Sequence, residues 1–413
     1  MSRNFIQEQM LLNPDETTGR IKVGKLVGLL DNHPYKEALA EAFDIETIKD
    51  EYIIIDYVDT VYNKIKKILT KYRRFNIVAQ TKSIDVYEKT IDGNDEIVFK
   101  FEEYIEDDVV ENGLEAISIY GSKNSFLDEY EMTKYANNLF RIRQPQLANY
   151  NVQFFKRLAE ESDEHNKERS YRLVEDADNT YVRGIVSTQR YHEYGVDFAF
   201  VAAMIILHEN MKRNKGLEYE IRYAAINESK LEIMVDEKYT RDAGAFGTVA
   251  SAIKIETNDL GNGALKFTNI IKVLQKRGKG FYLMPRTDST FDNGSLSISH
   301  TTKPKNVFAA LNDMDSILNT SQQFIDELNG IKSIKTPDEL RTKILFKLKN
   351  RRSPFKNIKE LTDIFNRKID NEINKFSKLL EMCNKAEELN LEFDLKDKLR
   401  YIISDIILYN KTF

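Results

Sequence analysis

The sequence predicts an α+β fold, with an N-terminal helical and hairpin region, a central antiparallel sheet and a C-terminal helical region. Between residues 83 and 299, short segments of alternating apolar and polar residues recur, separated by turn-forming sequences. Such alternation is typical of strands with one buried face. After Pro304 the alternation stops, and apolar residues recur at helical spacing. We therefore expect three regions, at residues 1–165, 166–304 and 305–413.

The N-terminal region begins with helical patterns and ends in a hairpin. Residues 37–43 are good helix formers. Residues 57–68 place Val58, Val61, Tyr62, Ile65 and Ile68 on one face of a helix. Two alternating segments, 83–90 and 96–104, flank the turn sequence Asp92-Gly93-Asn94, which predicts a hairpin. Residues 133–158 are expected to mix helix and loop.

The central region is predicted to hold short strands and one buried helix. The strands are expected at residues 171–174, 181–186, 219–226, 231–235, 251–256, 264–273 and 296–299. Residues 196–211 are mostly apolar, so we expect a buried helix there. The connections 227–230 and 258–263 are rich in residues that favour turns.

The C-terminal region contains two proline-led helix starts. Thr336-Pro337 places a capping hydroxyl before a proline at the first helical position, and Ser353-Pro354 repeats that arrangement. Apolar residues then recur every three or four positions, which predicts one long amphipathic helix. Its apolar stripe comprises Leu361, Phe365, Ile369, Ile373, Phe376, Leu380 and Cys383.

Composition argues against membrane and disulfide-rich classes. The longest apolar run, residues 198–207, is well short of the roughly 18–20 residues that cross a bilayer. The first 14 residues lack the pattern of a secretory signal. Cys383 is the only cysteine, which excludes an internal disulfide and a zinc site of several thiolates. We expect a cytoplasmic protein.

Motif searches predict no catalytic residue, cofactor or metal site. Residues 19–25 fit a phosphate-binding loop, but Leu26 stands where the motif needs a hydroxyl to bind magnesium. His208-Glu209 would open a zinc-protease motif, but Lys212 replaces its second histidine. An enzyme whose site is assembled from scattered carboxylates stays open as an alternative.

The net charge of −5 conceals two segments of opposite sign. Residues 85–115 hold 12 acidic and 2 basic residues, whereas residues 332–378 hold 14 basic and 6 acidic residues. Such asymmetry points to charged partners, or to attraction between the two segments within or between chains. The plainer alternative is two solvated faces.

Two basic elements are candidates for binding a polyanion. In the first, Lys276, Arg277 and Lys279 precede Phe281 and Tyr282, so cations could hold phosphates while rings stack on bases. An ordinary hairpin turn leading into a core strand is the alternative, and it is favoured. In the second, no acidic residue follows Glu339 until Glu360. Its predicted contacts are Lys343, Lys347, Lys349, Arg351, Arg352 and Lys356.

Two segments resemble a phage- and plasmid-associated family catalogued as domain of unknown function 932. They are residues 181–191 (YVRGIVSTQRY) and residues 256–265 (ETNDLGNGAL), and the resemblance covers roughly residues 170–310. It implies an origin in a phage, plasmid or integrative element. The family has no established chemistry, so it implies no catalytic residue, and the matched glycines and Ser187 are best interpreted as turn formers.

These observations predict a non-enzymatic protein of a mobile element that binds DNA or RNA without sequence specificity. A single-strand binding or annealing role in replication or recombination would suit it, and the chain would act in the host cytoplasm, as a monomer or a homo-oligomer. The alternative is a protein-interaction factor, such as a binder of a host or defence protein or a virion component, that uses the acidic region.

Overall fold

The computed structural model describes residues 8–11, 19–142, 144–162, 166–261, 263–275, 279–284, 295–312, 328, 336–366 and 373–409. It confirms the α+β class, since helices pack against separate, mainly antiparallel sheets. Within the described residues, no helix is both long and apolar enough to cross a membrane.

The larger sheet has seven strands, and six of them follow the order β1-β10-β11-β12-β13-β14. The seventh, β15, pairs with residues 264–268 of β13, on the same edge where β14 pairs with residues 271–274. Every pairing in it is antiparallel. Its strands are β1 (Glu8–Leu11), β10 (Tyr219–Ile226), β11 (Lys230–Asp242), β12 (Thr248–Asn258), β13 (Ala264–Leu274), β14 (Gly280–Leu283) and β15 (Ser295–Ser299). The strands β10 to β13 follow one another as hairpins. The sequence predicted the connections β10–β11 and β12–β13.

One face of this sheet is covered by helices from the N-terminal and central regions. They are α1 (Val23–Val27), α2 (Lys36–Ala42), α3 (Ile45–Ile48), α4 (Val58–Lys71), α8 (Val196–Arg213) and α9 (Pro304–Asn312). The predicted stripe of α4, from Val58 to Ile68, is buried, and α8 is buried along nearly its whole length. A two-stranded sheet, β2 (Ile21–Lys22) with β3 (Tyr52–Ile53), lies beside these helices.

The C-terminal helices pack at the β13–β14 end of the sheet, and the last of them also covers the other face. They are α10 (Pro337–Lys349), α11 (Lys359–Ile364), α12 (Phe376–Glu387) and α13 (Phe393–Tyr409). Charged side chains line part of this interface: the fully buried Arg400 guanidinium on α13 binds Glu387 and Glu232. The sheet therefore lies between α13 on one face and the N-terminal and central helices on the other.

The smaller sheet has six strands, in the order β4-β8-β9-β7-β6-β5. The strands are β4 (Arg73–Gln80), β5 (Ile84–Ile91), β6 (Asn94–Glu106), β7 (Val109–Ser118), β8 (Glu168–Glu175) and β9 (Thr180–Val186). Val78 on β4 also pairs with Ile105 on β6, which brings the two ends of the sheet together as a small barrel. The helices α5 (Ser122–Asp128), α6 (Thr133–Arg141) and α7 (Pro145–Glu161) connect β7 to β8 and pack on the barrel.

This barrel has the strand pairing of an OB-fold. A short 3₁₀ turn at residues 81–83 joins β4 and β5, so together they act as one bent first strand. The second and third strands, β6 and β7, follow as a hairpin. The third strand pairs in parallel with the last, β9, while β8 returns to the first strand, and helices separate β7 from β8. That order, with its single parallel pair, is the OB-fold order.

The hairpin of β6 and β7 runs from the closure of the barrel at Ile105 to an exposed tip. Residues 102–113, which we call the acidic arm, are exposed except for Tyr104 and Glu106, which are half-buried. Ile105 and Val110 face each other across its two strands. The arm is the outer part of the acidic segment identified in the sequence.

Two expectations need correction. The boundary expected near residue 165 falls inside the barrel, because β8 and β9 pair with strands of residues 73–118. The long C-terminal helix is wrong, because Ser353-Pro354 lies in a turn, α11 ends at Ile364, and α12 begins at Phe376 after three non-helical residues. Asn366 and Asn374 weaken a helix here, since asparagine competes for backbone hydrogen bonds.

Much of the apolar stripe expected of that helix is buried nonetheless. Leu361, Phe365, Ile373, Leu380 and Cys383 are buried, and Phe376 is partly buried. Ile369 lies outside the described residues. The side chains that the sequence assigned to one long helix therefore pack in one core, but they come from two short helices and the residues next to them.

Candidate nucleic-acid interface

The basic segment begins on α10, whose start is fixed by the predicted cap. The Glu339 N–H donates to Thr336 Oγ1 (3.3 Å), and the Thr336 N–H donates to Glu339 Oε2 (3.2 Å). This reciprocal capping box satisfies two backbone donors that the first helical turn leaves without partners. Leu340, Ile344 and Leu348 then face inward and are buried in the C-terminal core.

A tight turn follows α10 and holds the chain at the surface. The Arg352 N–H donates to Oδ1 of Asn350 (3.0 Å), and the Phe355 N–H donates to Oγ of Ser353 (3.2 Å). Phe355 is fully buried and anchors the turn to the core. Arg351, Arg352 and Lys356 are consequently displayed to solvent.

Five cations and one ring form what we call the basic surface: Phe346, Lys347, Lys349, Arg351, Arg352 and Lys356. Lys347 is half-buried and the other four cations are exposed. Within the described part of the chain, none of the five forms an ion pair with a carboxylate. Their charges are therefore available to an external anion.

The orientation of α10 corrects one sequence-based expectation. Lys347 and Arg351 were expected to lie opposite the apolar stripe. Arg351 lies in the turn after the helix, and Lys347, like Lys343, is half-buried at the margin of the stripe. Phe346 lies opposite it, about 200° around the helix from Ile344 at about 100° per residue. With 68% of its surface exposed, Phe346 is the most exposed large apolar side chain among the described residues.

The second predicted element, around Lys279, does not form a comparable surface. Lys276 and Arg277 lie outside the described residues. Lys279 Nζ pairs with Glu388 at 2.9 Å. Phe281 and Tyr282 are buried on β14, so the hypothesis that they stack on bases is wrong. The favoured alternative, a hairpin leading into a core strand, is confirmed by the pairing of β13 with β14.

The two segments that carry the family resemblance meet in space. A Cβ atom at Gly184 would lie 2.6 Å from the backbone oxygen of Leu260, so the two segments touch through their backbones. Arg183 donates to Asp259 (3.0 Å), as does the hydroxyl of Tyr191 (2.8 Å). Residues 185–191 and Gly261 line part of a cleft of about 650 Å³ beside this contact. Gly261, with its positive φ, lies in a turn as expected, whereas Gly184 lies within β9 and is not a turn former.

A charged cluster lies behind that contact. Arg172 and Arg183 share Asp259 and Glu193 as partners. Burial opposes ionisation of the Glu193 carboxyl, but the nearby arginines outweigh it and hold its pKa well below the usual range. Because the cations and anions of this cluster neutralise each other, we interpret it as a structural contact that holds the barrel strands β8 and β9 to the turn after β12.

The face on which OB-folds commonly bind ligands is acidic in this chain. That face lies on the second and third strands and beside the loop before the last strand. Here it forms a cleft of about 280 Å³. The charged residues lining it are Glu115, Glu175, Asp176, Asp178 and Lys89. A polyanion would be repelled there, so the OB-fold topology alone does not support nucleic-acid binding by this chain.

Two groups of side chains have the donor types of a cation site, but each already surrounds a lysine. Glu51, His208 and Glu209 converge near Lys212, whose ammonium lies 3.0 Å from Glu51 and 3.1 Å from Glu209. Glu232, Glu256 and Asp397 converge in the same way on the buried Lys254. Burial disfavours the ammonium of Lys254, but the three carboxylates outweigh this and raise its pKa. Neither group offers a cation an uncompensated site.

Sequence inspection missed Phe346 as a functional candidate, although a simple pattern marks it. It lies two residues after Ile344 and three before Lys349, which places it on the outer face of any helix whose inner face holds Leu340, Ile344 and Leu348. In the folded chain the large aromatic side chain at this position is mostly exposed to solvent.

No family model matches the chain, and neither a curated protein nor a solved structure is significantly similar to it.

Proposed function

We propose that this chain binds single-stranded nucleic acid without sequence preference through the basic surface. The observation that carries the proposal is five cations without carboxylate partners on α10 and the turn after it, a segment that also carries the exposed ring of Phe346. Cations hold the phosphates, and an aromatic face stacks on any base, which together give tolerant recognition of single strands. A role in replication, recombination or annealing for a phage or other mobile element fits the resemblance of residues 170–310.

The surface suits a flexible strand better than a specific duplex site. Phosphate contacts carry no base information, and no array of side chains aimed at base edges accompanies these cations on α10 or its turn. The turn at Asn350–Phe355 sits on a buried anchor, so the arginines are presented by backbone held in place. Less ordering is then needed on binding.

The proposal is tested by fluorescence anisotropy with two labelled single strands of unrelated sequence at low salt. Lys349→Glu/Arg352→Glu should weaken binding to both strands equally, by at least about tenfold if each lost contact is worth about 1 kcal/mol. The matched control is Lys66→Glu/Lys67→Glu, the same charge change at two exposed positions of α4. Equal loss in both double variants, or no loss in the first, would reject the basic surface as the site.

A second candidate function, protein–protein interaction, is favoured by the acidic arm. Its exposed Val109 and Val110 are unusual for a hairpin tip, because apolar side chains there gain nothing from solvent. This function does not compete with the first, since the arm and the basic surface belong to different elements.

A further inference from the structure

The acidic arm combines apolar contacts with uncompensated negative charge. Val109 and Val110 are 55% and 58% exposed, and Ile105 is 39% exposed. The four exposed carboxylates of the arm that carry no ion pair in the described part of the chain are Glu103, Asp107, Asp108 and Glu111. The arm's other two carboxylates form ion pairs with cations of the barrel and its helices: Glu102 pairs with Lys156, and Glu106 pairs with Arg73.

A second exposed apolar area lies on α6 and α7, which we call the helical face. Leu147, Tyr150 and Phe154 occupy positions i, i+3 and i+7 of α7, so they form one stripe. Tyr135 on α6 and Ile142 at its end are exposed as well. Each of these five side chains is between 47% and 66% exposed. Clustered large apolar residues of this kind mark interaction sites.

The helical face has the charge opposite to that of the arm. No acidic residue occurs in the sequence between Glu131 and Glu160. Lys134, Arg141 and Arg157 are exposed on these helices. Among the described residues, none of the three has a carboxylate partner, and Arg141 donates only to the amide of Asn138. The face is therefore apolar with a basic rim, whereas the arm is apolar with an acidic rim.

We propose that the acidic arm of one copy of this chain docks on the helical face of a second copy. Both surfaces are exposed in the single chain, and they match in apolar character and in opposite charge. Contact between them would remove both apolar patches from water, and complementary charge would fix the orientation. The two surfaces are different, so the contact is heterologous and each copy keeps a free arm or a free face. The assembly is head-to-tail.

The inference is independent of nucleic-acid binding, and nuclease-treated protein tests it. The mass of the full chain is measured by sedimentation velocity in low salt at concentrations up to about 100 µM, which detects Kd values into the micromolar range. The wild type should form species larger than a monomer, and high salt should shift it toward the monomer. A wild type that stays monomeric throughout would overturn the proposal.

Single variants separate the two surfaces. Val110→Lys places a cation on the arm, and Tyr150→Glu places an anion on the helical face, so each should reduce the protein to a monomer. Both positions are exposed, so the fold should be retained, as circular dichroism would verify. Tyr239→Glu is the control, because Tyr239 is 64% exposed on β11 of the larger sheet. It should associate like the wild type, and a monomeric control would count against a specific contact.

Mixing the two variants distinguishes this geometry from a symmetric one. Val110→Lys keeps an intact face and Tyr150→Glu keeps an intact arm, so together they should form a dimer that cannot grow further. If each variant is monomeric and their mixture also stays monomeric, an intact arm does not dock on an intact face, and the head-to-tail proposal is wrong. Association of Tyr150→Glu alone would show that arm pairs with arm, and association of Val110→Lys alone would show that face pairs with face; either result would also overturn the proposal.

Discussion

Arg172 on β8 of the barrel donates from Nη2 to Oδ2 of Asp259, 2.6 Å away, in the turn after β12 of the larger sheet. Both side chains are buried. Arg183 on the neighbouring strand reaches the same carboxylate oxygen at 3.0 Å, and the hydroxyl of Tyr191 reaches Oδ1 at 2.8 Å. One carboxylate thus joins the barrel to the layered part of the molecule.

Removing that carboxylate should be costly. Asp259→Ala leaves the buried Arg172 and Arg183 with Glu193 as their one shared carboxylate, and breaking a buried pair in this way costs about 3–5 kcal/mol. Urea unfolding followed by circular dichroism measures the loss. Asp394→Ala is the control, because Asp394 pairs with Lys230 at the surface and such pairs contribute about 0–1 kcal/mol. Similar stability losses in the two variants would show that Asp259 does not stabilise the contact between the barrel and the larger sheet.

Acid should weaken the same cluster through Glu193. Its pKa is depressed in the folded chain, so its contribution to stability is present above the usual Glu value of 4.5 and is lost as pH falls below it. Thermal unfolding of the wild type between pH 7 and pH 3 should show this loss. Glu193→Gln should be less stable at neutral pH and should lose less on acidification. Parallel pH profiles for the two proteins would contradict the assignment.

The contact between the two glycine-containing segments predicts a strong effect of one methyl group. In Gly184→Ala the new Cβ would lie 2.6 Å from the Leu260 backbone oxygen, and the backbones must separate. Overpacking of this kind costs about 1–3 kcal/mol. Gly121→Ala is the matched control, because no atom lies within 4 Å of its Cβ position. A Gly184→Ala variant as stable as the Gly121→Ala variant would show that the segments can part freely.

Phe346 should contribute to affinity without contributing charge. Phe346→Ala removes a stacking contact worth about 1–3 kcal/mol per base, so affinity for single strands should fall about 5- to 150-fold. Binding to inorganic polyphosphate, which has no bases, should be unchanged. Phe346→Trp should retain binding to single strands. Equal losses on the strand and on polyphosphate would mean that Phe346 shapes the surface instead of stacking.

Local sequence patterns predicted the elements whose partners lie nearby. The stripe of α4, the cap at Thr336 and the hairpins β10–β11 and β12–β13 depend on neighbouring residues, and the structure confirms them. β4 escaped prediction because its partner β8 is distant in the chain. β7 escaped prediction although it pairs with the adjacent β6, because its residues 109–115 have no buried alternating face.

The candidate site was predictable in part for the same reason. The cations follow from composition and spacing along one helix and turn, whereas their lack of carboxylate partners depends on what the rest of the chain brings near them. The break between α11 and α12 shows the limit of periodicity, since Phe365 and Ile373 keep helical spacing across residues that are not one helix. Nothing local to Asp259 indicates that Arg172, 87 positions away, is its partner.

The salt dependence of binding is the sharpest test of whether the basic surface neutralises the phosphates of a single strand. Each phosphate neutralised by a cation releases counterions, so five contacts predict a slope of about −3.5 for the logarithm of the binding constant against that of salt concentration on single strands, at about −0.7 per contact. Lys349→Glu/Arg352→Glu should reduce the slope by about 1.4 on that scale. The wild-type and variant proteins should show these two slopes on the same labelled strand. A wild type that does not bind at about 50 mM salt, or a variant with the wild-type slope, would contradict it.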